Sequence, residues 1–184
     1  MLWLIQPLDN TMGYMTTPNL SDAERQIREA FPRGAWVDLR SGDPREDRLE
    51  SASSWGPERL IRADVLRELL LGGKEPEPGY APGLRLRGAR VVGRLDLMGA
   101  TVGWPLVCEY CYFDGEIRLV ESSARTVRLV QSRIAAINAA RMSLHGIFNL
   151  MGTTVAGVLR LDEAVISGHV CLSGTDIVTS QAPG

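Results

Sequence analysis

The amino-acid sequence predicts a mainly β protein, a β-solenoid of stacked coils behind a helical N-terminal cap. Three observations predict it. The stretch LRLRGARVVGRLDLMGATVGW, residues 84–104, states Leu-x-Leu-x-Gly-Ala-x-Val-x-Gly twice, eleven residues apart. The phrasing continues to residue 178, with apolar pairs at 84/86, 95/97, 106/108, 117/119, 127/129, 137/139, 148/150, 159/161 and 170/172. Glycines at 88, 93, 99, 103, 115, 146, 152 and 157 would break a helix repeatedly but suit the corners of a coil.

Residues 1–17 read as a doubtful N-terminal extension, because Met12 and Met15 offer later starts. Residues 18–83 read as a helical capping segment and linker. In SDAERQIREAF, Ser21 stands three residues before Glu24, the spacing of a capping box. Ala23, Ile27, Ala30 and Phe31 fall on one face of that helix, and Pro32 and Gly34 stop it. RSGDPREDRLESASS reads as a polar, exposed loop. GPERLIRADVLRELLLGG reads as a second and stronger helix, with Pro57 near its first position and Gly72 just past its end. Leu60, Ile61, Val65, Leu69 and Leu70 supply its apolar stripe, and GGKEPEPGYAPG links it to the first coil. A solenoid exposes its interior at an open end, so the two helices are assigned to closing it.

Residues 84–178 divide into eighteen steps of five, usually with one extra residue after each pair. The third residue of each five is apolar in eighteen cases of eighteen, which chance does not produce. First residues alternate large and small, with Met142 the exception. First and third residues point the same way in extended chain, so both face the interior. The remaining positions turn the corner.

Fives such as ATVGW, SSART, TTVAG and TDIVT, with Asp96, Asn138, Asn149 and Asp176 in second place, resemble the pentapeptide-repeat family. The resemblance covers 84–178, about half the chain. It implies a right-handed, four-faced β-solenoid of about four and a half coils. Four faces put Leu84, Leu106, Val127, Phe148 and Val170 in one stacked column, and Ala89, Cys111, Ser132, Thr153 and Thr175 in the next. The eleven-residue spacing, large first residues and frequent arginine in second place depart from the family's form. The layout also resembles longer actinobacterial proteins labelled membrane-associated oxidoreductase. Residues 179–184 form a tail with no helix to cover the last coil. Two expectations follow: a homodimer stacked end to end, or a fragment of a longer solenoid.

Function is less legible. Net charge is −2 over 184 residues, which demands neither nucleic acid nor an anionic membrane. Three cysteines are too few for a disulfide framework and point to a reducing cytoplasm. No apolar run approaches the roughly 18 residues of a membrane span, so any membrane association is expected to be indirect. Cys108 and Cys111 have the spacing of a redox or metal half-site, but both fall on inward positions that call for small apolar residues. His145 and His169 fall at a corner and an inserted position, read as surface. Arg85, Arg87, Arg90 and Arg94 read as the outward side of a strand, without the interleaved aromatics of a nucleic-acid surface. Catalytic, cofactor-binding and metal residues are therefore expected to be none, and nucleic acid is not an expected partner.

One outward feature stands out. The fourth residues of the fives include Val92, Val120, Val130, Ala135, Met151 and Ala156, an apolar stripe expected to face solvent and to meet a protein partner. The expectation is a non-catalytic scaffold acting through protein–protein contacts. The family resemblance implies a first alternative, a DNA mimic protecting topoisomerases. Against it, residues from 84 onward hold eight acids and ten arginines, where a mimic needs an acidic rod. The second alternative is a fragment or subunit of an oxidoreductase-labelled protein.

Overall fold

The computed structural model describes residues 19–178, so the extension 1–17 and the tail 179–184 lie outside it. Within it the chain winds into a β-solenoid of about four turns, with strands of successive coils pairing in parallel. Two bent sheets build the wall. One runs through Trp36–Asp38, Leu84–Arg87, Leu106–Glu109, Ser123–Val130 and Ser143–Asn149 to Val165–Ile166, with His169–Cys171 beside it. The other runs through Leu60–Arg62, Arg90–Val92, Tyr112–Arg118, Arg133–Asn138 and Thr154–Val155 to Asp176–Ile177. Tyr112–Arg118 pairs with Arg90–Val92 near its start and with Leu95–Asp96 near its end. Each sheet thus serves two of the four faces.

The register is the one the fives imply. Leu84 pairs with Leu106, Leu106 with Val127, Val127 with Phe148, and Phe148 with Val170. Successive coils are therefore 22, 21, 21 and 22 residues long. Inward first and third residues from Leu84 to Val155 are buried, Ala100 excepted, and merge with the cap into one core. Met142, too large for its pattern, is fully buried among them.

The corners have a rule of their own. The fifth residue of every large-first five is in the left-handed region: Gly88, Gly99, Tyr110, Glu121, Gln131, Arg141, Gly152, Glu163 and Gly174. Five of those nine carry a Cβ, each costing about 1–2 kcal/mol relative to an ordinary backbone conformation. The small inward residues do more than leave room. The Thr153 hydroxyl donates to the Leu129 carbonyl and accepts from the Ser132 amide. The Ser132 hydroxyl in turn donates to the Val130 carbonyl at 2.9 Å and accepts from the Cys111 amide at 3.1 Å. This ladder satisfies buried backbone groups where the chain bends away from its sheet.

In the cap, α1 (Asp22–Ala30) starts on the expected box: Ser21 Oγ accepts from the Glu24 amide, and Glu24 accepts from the Ser21 amide. The second helix differs from the sequence expectation. Pro57–Arg59 is a 3-10 turn, Leu60–Arg62 is a strand, and only Ala63–Leu70 is helix, α2. The cause is the first coil, whose Arg90–Val92 strand offers an open edge that Leu60–Arg62 occupies in parallel. Trp36–Asp38 does the same against Arg85–Arg87. The cap is thus half a coil braced by helices. The polar segment between them is not simply exposed either: Leu49–Ser54 forms a 3-10 helix, and Ala52 and Trp55 are buried.

Candidate functional site

The interior coils hold the two cysteines that the sequence singled out. Cys108 and Cys111 are fully buried and free. Cys111 Sγ donates to the Glu109 carbonyl at 3.3 Å, and a hydrogen bond with Cys111, with burial, raises the Cys108 thiol well above its ordinary pKa. A protonated, sealed thiol is neither nucleophile nor metal ligand. No group of three His, Cys, Asp or Glu gathers to hold a metal among the described residues. His145 and His169 are both exposed; Ser167 Oγ lies 3.4 Å from His145 Nδ1, and no carboxylate among the described residues completes that pair.

The expected apolar stripe needs correction. Ala135 and Ala156 stack in register, as do Val130 and Met151. Yet Val120 and Val130 are buried, Val92, Ala135 and Ala156 are half-buried, and only Met151, 42% exposed, stands out. The interior coils explain this: Val130 is stacked between Glu109 and Met151, whose longer side chains cover a short β-branched one. Contiguous exposed apolar surface lies elsewhere, on the last coil. Leu159, Leu161 and Ile166 are half-buried, while the inward Val170, Leu172 and Ile177 are 45%, 41% and 52% exposed. Val165 and Val178 add to that surface.

The four consecutive arginines of the first coil separate into two kinds. Arg87 pairs with Glu109 at 2.8 Å, Arg90 with Asp114 at 3.6 Å and Arg94 with Asp96 at 3.5 Å. Arg85 has no carboxylate within 4 Å among the described residues, and neither have Arg125 and Arg128. All three reach one face, which sequence reasoning missed. The available signal was recurrence: Arg85 and Arg128 occupy the same outward column two coils apart, with Val107 between.

Two other hollows hold charges of both signs. The one along α1, about 660 Å³, is lined by Glu29, Glu75 and Glu77 with Arg33 and Lys74, an acidic excess of one, and Arg33 and Glu77 are paired. The one at Asp38, Arg40 and Asp47 is likewise spanned by the Asp38–Arg40 pair. No described helix is long and apolar enough to cross a membrane. No family model matches the sequence, and the comparisons with curated proteins and with solved structures return no match.

Proposed function

We propose that this protein is a non-catalytic solenoid scaffold of the pentapeptide-repeat type that works by holding protein partners, one of them a second copy of itself. The observation that carries this reading is the apolar last coil. Val170, Leu172 and Ile177 are chemical equivalents of residues that are buried in every earlier coil, and here they stack on the preceding coil but meet no described coil on their other side. The strand His169–Cys171 pairs on one edge only among the described residues. A second copy, brought up by a two-fold axis, presents the same apolar ring and the same open edge to it. The duplex-mimic reading gains no support, since Glu109, Asp114, Asp96 and Glu121 are each neutralised by an arginine.

Sedimentation equilibrium tests it. The full chain is expected to be a dimer at micromolar concentration, and a Leu172→Arg, Ile177→Arg variant a monomer with an unchanged far-ultraviolet spectrum. A wild-type monomer across that range removes the second copy from the proposal.

A further inference from the structure

The three arginines without an acidic partner among the described residues line one continuous groove. Two hollows adjoin on the outer face of the first sheet, of about 620 and 220 Å³, and share Arg85, Pro105 and Thr126. The larger is walled by Tyr80 and Pro82 from the linker and by Trp104 from a corner, and Arg125 opens onto it. The smaller continues past Val107 to Trp36 on one side and Ile147 on the other, with Arg128 on its edge. Every charged residue lining either hollow is one of these three arginines. The acids on the neighbouring outward column are already engaged, Asp38 by Arg40 and Glu109 by Arg87. The Nε–H groups of Arg85 and Arg128 are buried without a hydrogen-bond partner. Buried donors left open in this way call for an acceptor.

The walls are held in place. Trp104 meets Phe31 edge to face at 6.5 Å between ring centres, and the Arg87 guanidinium stacks 4.0 Å over Trp36. The linker is tied to the cap by the Arg33–Glu77 pair and by the Lys74 ammonium donating to the Arg28 carbonyl at 2.8 Å. The groove is therefore formed before any ligand arrives.

Its length selects the ligand. From Trp36 to Ile147 the groove crosses five strands in order, four spacings or about 19 Å along the solenoid axis. An extended chain covers that distance in about six residues. An open trough of this length suits a chain segment better than a small molecule, which prefers enclosure. A long polyanion is disfavoured, because the chain outside the groove is net acidic and would repel its ends. Resting on the reading of the rod as a protein-binding scaffold, we infer that this groove binds an extended acidic peptide segment. Its carboxylates bridge to Arg85, Arg125 and Arg128, and its apolar or aromatic residues lie against Tyr80, Trp104 and Trp36. Planar guanidinium–carboxylate pairing supplies both strength and direction here.

Fluorescence anisotropy with a fluorescein-labelled, capped Glu-Phe-Glu-Leu-Glu-Phe peptide tests this on the full chain. The expected result is saturable binding, weakened about tenfold or more by Arg85→Gln with Arg128→Gln and unchanged by Arg133→Gln. Arg133 is exposed on the other sheet and away from the groove. Should the double variant fail to fold, Tyr80→Ser carries the test, since Tyr80 is 56% exposed and its loss removes only a wall. No saturation by about 1 mM overturns the proposal, as does equal binding of the Lys-for-Glu peptide. Tighter binding of a labelled dT6 oligonucleotide than of the acidic peptide overturns it in favour of nucleic acid. The dimer is measured on the same samples: a dimer that ignores the peptide refutes the groove alone, and a monomer that binds it refutes the stacked copy alone.

Discussion

At the scale of single residues, backbone conformation and space make separate demands that two glycines isolate. Gly99 and Gly103 both have open space where a Cβ would go, but only Gly99 is in the left-handed region, with φ of 66°. Gly99→Ala is therefore expected to cost about 1 kcal/mol, and Gly103→Ala to fall within about 0.5 kcal/mol of wild type. Denaturant midpoints of the two variants check this, and equal losses would refute the corner rule. Inward residues were legible in the sequence because period-2 alternation repeats eighteen times. Val120 and Val130 were not, because burial at an outward position depends on what the next coil stacks above it. Arg85 was legible as outward but not as lacking a described acidic partner, since a partner on the next coil lies twenty or more positions away, as Glu109 does for Arg87.

At the scale of elements, the cap is fastened by carboxylates. Burial alone would raise the pKa of Glu24, but hydrogen bonds from the Arg62 side chain and amide and from the Ser21 amide hold it below its ordinary value of 4.5. Asp47 is lowered too: burial opposes, while the amides of Ser41 and Gly42 and the Arg59 guanidinium prevail. A lowered folded pKa stabilises fully above the ordinary carboxylate range and is lost as pH falls through it. Unfolding free energies of wild type and Glu24→Gln, from denaturant melts, should thus differ most near pH 7, by about 2 kcal/mol, and converge towards pH 3. A gap that stays constant with pH would show that Glu24 acts by shape and not by charge. The capping box made α1 legible, whereas Leu60–Arg62 was hidden inside a helical pattern. Three residues carry no strand periodicity, and a partner strand thirty residues on overrides local preference.

At the scale of the whole molecule, the two sealed cysteines report on opening. Cys171, half-buried on the last coil, is expected to react with a thiol reagent rapidly. Cys108 and Cys111 are expected to react only as fast as the coils part, so their rate measures solenoid opening in native conditions. Three equally fast thiols would mean that the core is not closed. The repeat made the solenoid readable from the chain alone. The acidic-peptide groove was not, because it lies where linker, corner and two arginine-bearing coils converge.

Coil length has one more consequence. Because strands of one coil pair only with those of adjacent coils and the repeat closes after 21 or 22 residues, gain or loss of one such unit keeps the inward columns of the remaining coils in register. Descent by duplication can therefore change this rod in whole steps of about 4.8 Å without inventing a new core. The molecule behaves as a ruler with fixed graduations, on which the distance between the cap and the last described coil is a heritable quantity that can be lengthened or shortened a coil at a time.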